Sequence, residues 1–265
     1  MPVNFAYYSG KSNTGFRQTK NEDYIAFHEL GDDLLFALIA DGSGSGEGAM
    51  FQPASIVVNK VGTIIKRIYN KQKGLLLKYP KFFLEETILE ANDALIAFKL
   101  GDEIRNMGFA TTITCALIEG NGRMTLAHVG NTRLYVLRKG KLIQLTKDHT
   151  LGQELVEKKA ITEAEYYVAA ERLTLTNGLG VSAEPFVQVN QVQLRMNDIV
   201  LMSSDGLHYS IKDIGMIDTL LASDTPDDAT EALIQLAIDQ KNFSDNISVN
   251  VIWFLGKPER GDANG

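Results

Sequence analysis

The chain has 265 residues, 45% of them hydrophobic and 22% charged, which is enough apolar material for a sizeable core in one large domain or two small ones. A net charge of −7 and a pI near 5.2 argue against general binding to nucleic acid or to an anionic membrane surface. The single cysteine, Cys115, excludes an intramolecular disulfide and a thiolate zinc cluster. No apolar stretch reaches the roughly 20 residues that span a bilayer, and the N-terminus lacks a signal-peptide layout, so the expected location is cytoplasmic.

Residues 24–29 and 34–40 read as strands joined by the turn Leu30-Gly31-Asp32-Asp33, and antiparallel pairing would place Asp23 and Asp41 at one rim. A helix is expected over 47–70, with Pro53 tolerated near its first turn. A second is expected over 81–100, where Leu84, Ile88, Ala91, Leu95 and Phe98 recur at helical spacing. The middle reads as a β-meander over 110–118, 123–129, 132–138 and 141–145, with Cys115 as a packed strand residue. Residues 151–170 read as a charged helical flap whose helix start is Thr162–Glu165, with Asp148 and Glu154 as surface charges. Strands at 186–194, 199–204 and 247–255 and helices near 213–222 and 226–240 follow. Antiparallel strand runs with helices inserted, and no βαβ alternation, predict two packed sheets covered by helices. These are expected to form one domain over residues 1–256, with a polar tail at 257–265.

Three aspartates stand at the ends of apolar runs. LLFALIA leads into Asp41-Gly42, DIVLMSS leads into Asp205-Gly206, and Asp245-Asn246 opens ISVNVIWF; Asn21-Glu22-Asp23 precedes YIAF. If the last strand pairs antiparallel with the one ending at Asp205, then Asp205 and Asp245 also share a rim. A carboxylate at the lip of a buried strand is costly unless positive charge meets it, so converging carboxylates suggest a cation site. Oxygen donors without nearby His or Cys favour Mg²⁺ or Mn²⁺ over zinc. Taken singly, each aspartate reads equally as a turn or cap residue. His128 and His149, set in the meander and at its exit, read as structural hydrogen-bonding residues. Gly10-Lys11-Ser12 lacks the glycine a phosphate loop needs, since Phe5 stands there.

Nine short segments, in order, resemble the metal-dependent PP2C-like (PPM) Ser/Thr protein phosphatases, along residues 10–254. They are Asn21-Glu22-Asp23, Ala40-Asp41-Gly42-x-Gly44, Thr111-Thr112, His128 to Tyr135, Leu145-Thr146-x-Asp148-His149, Thr162-x-x-Glu165, Asn177 to Gly180, Ser204 to Leu207, and Asp245-Asn246. The resemblance implies an α+β fold, an αββα sandwich, with a dinuclear Mg²⁺ or Mn²⁺ centre at one edge. It implies that Asp41 bridges the two ions and the Gly42 carbonyl binds one of them. Asp205 and Asp245 would ligate the other, and Glu22 or Asp23 would hold metal-bound water. It further implies a phosphorylated protein substrate, opposing a Ser/Thr kinase, attacked directly by a metal-bridging hydroxide.

Three positions depart from the pattern. Asn131 replaces an acid that supports a third metal, the loop Ser43-Gly44-Ser45-Gly46-Glu47 lacks a histidine, and Gln18 stands where a phosphate-binding arginine is usual. Arg17 is taken as the substitute, with Lys20 as the alternative. The departures keep a second reading open, a catalytically weak pseudophosphatase that binds a phosphoprotein or partner. Retention of all three core aspartates favours the enzyme. Action on a small phosphomonoester is a third possibility.

Overall fold

The run LLFALIA is apolar at every position, so a strand there has to be covered on both faces. It forms β3 (Leu34–Ala40), with all seven residues buried. Leu34, Phe36, Leu38 and Ala40 pack into a cluster with helical residues such as Val57, Val61, Leu84 and Ile88. Leu35, Ala37 and Ile39, one residue out of phase, pack with Val200, Met202 and Ile252 of a second sheet. The structure, a computed structural model, describes residues 4–44, 52–100, 108–241 and 245–256.

Both large sheets are antiparallel. The first runs β10 (Gln188–Gln193), β7 (Arg123–Val129), β6 (Ile113–Glu119), β3 and β2 (Tyr24–Glu29). The second runs β1 (Ala6–Asn13), β12 (Ile247–Phe254), β11 (Ile199–Ser203), β8 (Arg133–Arg138) and β9 (Lys141–Gln144). A short ladder pairs β4 (Gly42–Ser43) with β5 (Ala110–Thr111). Helices α1 (Pro53–Lys78) and α2 (Pro80–Leu100) cover the first sheet. Helices α6 (Asp213–Ala222) and α7 (Pro226–Gln240) cover the second, where Leu201, Val249 and Val251 meet Met216, Leu220 and Leu233. The order is therefore helix, sheet, sheet, helix, the expected αββα sandwich. Each buried Leu, Ile or Val contributes about 1.5–3 kcal/mol relative to exposure, so the three apolar layers hold the edge that carries the site.

Four expectations are corrected. Strand β1 escaped notice because AYYSGKSN is only half-buried; as an edge strand it needs just one covered face, and it pairs from Ala6↔Phe254 to Asn13↔Ile247. The meander is split, because β7 pairs with β6 and β10 while β8 pairs with β9 and β11. Gly130 (φ +106) turns the chain from one sheet to the other, and a β-carbon there would meet Thr112 at 2.5 Å. Helix α1 starts at Pro53 and continues to Lys78 through a kink at Gln72 (φ −145, ψ 36), where the polar stretch Asn70 to Lys73 gives way to buried Leu76. The predicted start at 47–51 lies outside the described residues, as does the 257–265 tail.

The expected charged flap is helical. It consists of α3 (Leu151–Glu157), α4 (Glu163–Tyr166), which starts where expected, and a 3-10 turn (Ala170–Leu173). The capping box at α4 is present, Thr162 and Glu165 each satisfying the other's backbone N–H. The fourth correction is Asp148, expected on the surface but buried, because Arg133 enters the interior from the apolar strand β8 and requires a carboxylate partner.

Candidate metal centre at the sheet edge

Strand register brings the acidic residues together. Tyr24 pairs with Ala40, so Asp23 and Asp41 leave the first sheet side by side. In the second sheet Ser203 pairs with Val249 and Arg133, and Asn13 pairs with Ile247. Asp205, Asp245 and Asn131 therefore leave that sheet by one edge. The two edges touch. The Glu22 backbone N–H, from the first sheet's edge, donates to Asn246 Oδ1 at 2.8 Å, and within the second sheet's edge the Asn131 side-chain amide donates to Asp205 Oδ2 at 3.2 Å.

Both Asp-Gly pairs have a steric reason. Neither Gly42 nor Gly206 has positive φ, so neither serves the turn geometry that such pairs suggest. A β-carbon on Gly206 would lie 2.0 Å from the Asn246 carbonyl oxygen, and one on Gly42 would lie 2.9 Å from that of Glu22. Each glycine lets another segment of backbone approach its aspartate. Asp205 begins the short helix α5 (Asp205–His208) after Ser204.

Backbone clamps fix the remaining members. The Asp41 carbonyl accepts from the Thr112 N–H at 2.8 Å and from the Thr111 hydroxyl at 2.8 Å, while the Asp41 N–H donates to the Thr112 hydroxyl at 3.0 Å. The Asn246 amide donates to the carbonyls of Thr14 (3.0 Å) and Lys20 (2.8 Å), tying the 14–22 loop to Asp245. Thr111-Thr112 and Asn246 stand in the sequence motifs, but these clamping roles are not visible there. Polar residues flanking an acidic strand end were the available signal.

The carboxylates are held against their charge. Burial, with the Asp245 charge adding to it, pushes Asp23 up to about 7. Burial raises Asp205 to about 8, with Asp245 and Asp23 adding to it. Asp41 lies well above the usual carboxylate range through burial and through the charges of Asp205, Asp23, Asp245 and Glu22. Burial also raises Asp245. Both oxygens of Asp23, Oδ1 of Asp205 and Oδ1 of Asn131 are buried without a hydrogen-bond partner. Among the described residues, no three His, Cys, Asp or Glu side chains already close tightly enough to cage a metal ion. The carboxylates stand instead along a rim, all oxygen donors, repelling one another. Unsatisfied oxygens and mutual repulsion are what a divalent cation relieves, and the donor set suits Mg²⁺ or Mn²⁺.

The other predicted residues divide. Glu22 is half-buried beside Gly42, whose N–H donates to the Glu22 carbonyl at 3.2 Å. Arg17 is exposed, its guanidinium 4.9 Å from the Phe16 ring centre. It follows the Gly15 turn, which packs so closely that a β-carbon would lie 2.1 Å from the Asp245 carbonyl oxygen. His128 and His149 are structural, as expected. His128 Nε2 donates to the Lys147 carbonyl at 3.1 Å, and its Nδ1 pairs with the Thr114 hydroxyl at 2.8 Å. His149 Nδ1 accepts from the Gly130 N–H at 3.1 Å. Burial lowers both, His128 to about 3 and His149 to about 4, so both rings are uncharged at neutral pH. Together they brace the Gly130 corner that delivers Asn131.

The model of the family described as Protein phosphatase 2C matches residues 12–236. The serine/threonine protein phosphatase PstP of Mycobacterium tuberculosis is 31% identical over 248 residues, covering 92% of this chain and 44% of PstP. The chain thus spans less than half the length of that relative. Among solved structures, the S. agalactiae serine/threonine phosphatase superposes with a TM-score of 0.84 at 25% identity, covering 94% of this chain and all of that one. The PstP catalytic domain in complex with two manganese ions superposes with a TM-score of 0.76 at 28% identity, covering 95% and 99%.

Proposed function

The chain belongs to the protein phosphatase 2C family, and from that premise we propose that it hydrolyses phosphoserine and phosphothreonine in protein substrates with Mg²⁺ or Mn²⁺. The observation that carries the reading is the single rim on which Asp23, Asp41, Asp205 and Asp245 meet, with buried, unsatisfied oxygens on Asp23 and Asp205 and mutual repulsion raising Asp41. Asp41 and the Gly42 carbonyl from the first sheet, with Asp205 and Asp245 from the second, would hold the cations. Such cations, when bound, neutralise phosphoryl charge and lower the pKa of water.

The chain's own groups do the rest. Asp23, with both oxygens free of hydrogen bonds, accepts a proton from the attacking water, and Glu22 orients that water from the adjacent backbone. Arg17, exposed on the turn packed against Asp245, binds the phosphate oxygens of the substrate. A guanidinium suits this task because its planar N–H fork pairs with two phosphate oxygens at once. The Thr111-Thr112 and Asn246 clamps keep these groups in register without touching substrate.

No helix among the described residues is long and apolar enough to cross a membrane. The buried, unpaired Cys115 suits a reducing compartment, which supports a cytoplasmic phosphatase opposing a Ser/Thr kinase in signalling. The test is phosphate release from a phosphothreonine peptide. It should require Mn²⁺ or Mg²⁺ and be lost in Asp41→Asn; release that persists in a chelating buffer would overturn the proposal.

A further inference from the structure

Asp205 begins α5, and Tyr209 ends it, its N–H donating to the Asp205 carbonyl at 2.9 Å. The Tyr209 hydroxyl leaves the rim and reaches the flap. It donates to the Arg172 carbonyl at 3.0 Å and lies 3.0 Å from the Tyr166 hydroxyl. Its ring has the Arg172 guanidinium 5.1 Å from its centre and that of Arg133 at 5.5 Å. Tyr166 in turn donates to Asp148 Oδ2 at 2.6 Å, and Asp148 holds Arg133 through 2.7–3.1 Å bonds. Arg133 lies two residues after Asn131, the donor to Asp205. One tyrosine thus joins the helix carrying a rim aspartate to two of the flap's three short elements, α4 and the 3-10 turn.

The flap also connects to the opposite side of the rim. Leu179, just beyond it, exchanges backbone hydrogen bonds with Thr111 at 2.8 and 3.1 Å, and Thr111 clamps Asp41. A displacement of the flap therefore pulls on Asp41 through Thr111 and on Asp205 through Tyr209.

We infer that Tyr209 is a positioning residue that couples the flap over residues 151–173 to the cation site, so that cation binding orders the flap and flap closure tightens cation binding. The inference rests on the reading of Asp205 as a cation ligand. Coupling carried by a contiguous network has to act equally in both directions. Tyr209→Phe keeps the ring between the two guanidinium groups and removes only the hydroxyl bonds.

Hydrogen exchange tests the coupling, measured on amides 163–176 with and without saturating Mn²⁺, beside Mn²⁺ titration of the same proteins. In the unaltered chain Mn²⁺ should slow exchange across the flap. In Tyr209→Phe that protection should largely vanish and Mn²⁺ should bind roughly fivefold to tenfold more weakly, the scale of two lost hydrogen bonds expressed as coupling. Tyr166→Phe, the flap half of the joint, should behave alike. Tyr135→Phe removes a buried hydroxyl that meets the same Arg133 at 3.1 Å but not the flap. It should lower the melting temperature and leave the Mn²⁺-dependent protection intact. Protection unchanged in Tyr209→Phe, or equally lost in Tyr135→Phe, overturns the coupling. If Mn²⁺ does not bind the unaltered chain at all, the cation-site reading itself fails, and the titration separates that outcome from loss of coupling.

Discussion

Replacing Asp205 with Asn should flatten the pH dependence of metal-free stability. In the fold, Asp205 is held at about 8 and Asp23 at about 7, whereas unfolded carboxyls ionise near 4. A raised folded pKa means that the folded chain keeps a proton that the unfolded chain releases. The associated stability is complete below about pH 4 and is lost as pH rises through the folded values. Each such group costs about 1.4 kcal/mol per pH unit, so two groups between pH 5 and 7 cost up to about 5 kcal/mol. For a chain of this size that corresponds to a fall of roughly 10–20 °C in Tm. Asn at position 205 removes one of the raised carboxyls and its repulsion on Asp41, and should make the slope shallower. Thermal melts in a chelating buffer from pH 5 to 8 measure it. A Tm that stays level or rises from pH 5 to 7 in the unaltered chain, or an equal slope in Asp205→Asn, would refute the reasoning.

Three other perturbations follow from the same geometry. Asp148→Asn leaves the Arg133 guanidinium buried and unpaired, so it should cost about 3–5 kcal/mol in denaturant melts at pH 7. Burial favours the neutral Asp148 carboxyl, but Arg133 overrides it and holds the group at about 2; the pair's stability is present above pH 4 and should disappear as pH falls through 2. Asn131→Asp adds a carboxylate beside Asp205, so it should lower the metal-free Tm at pH 7.5 and enlarge the Tm rise on adding Mn²⁺; an unchanged rise would mean that position 131 does not face the cations. Gly206→Ala drives a methyl group into the Asn246 carbonyl, and calorimetry should show Mn²⁺ affinity falling at least about tenfold.

The legible parts of the fold were those where apolar pattern and pairing geometry agree. β2 and β3, with Asp23 and Asp41 at their shared rim, follow from a hairpin turn between two apolar runs. α2, α6 and α7 fall at or within a residue of the expected bounds because periodic apolar residues coincide with Pro80, Lys212 and the Thr225 cap. The β1 edge strand was illegible because a strand covered on one face tolerates Ser, Lys and Asn. The division of the meander between sheets was also hidden, since Gly130-Asn131 reads locally as a hairpin turn and only long-range pairing shows that it is a corner. In the site, the aspartates announced themselves by standing at the ends of buried strands. Their support did not: Asp148 looks like a surface charge until Arg133 is found inside the core. Tyr209 carries no local pattern at all, because its partners lie 37 and 43 residues away in the chain.

Everything proposed for the site depends on the rim carboxylates of the two sheets forming one cation centre. Calorimetric titration of Mn²⁺ into the metal-free protein at pH 7.5, repeated in buffers of different ionisation enthalpy, tests it directly. Cations displace protons from carboxyls whose pKa values are raised, so binding should release protons, and the measured heat should change with the buffer. Two cations per chain are expected, with proton release that is diminished in Asp205→Asn. Absence of binding, or binding with the same heat in every buffer and in Asp205→Asn, would contradict it.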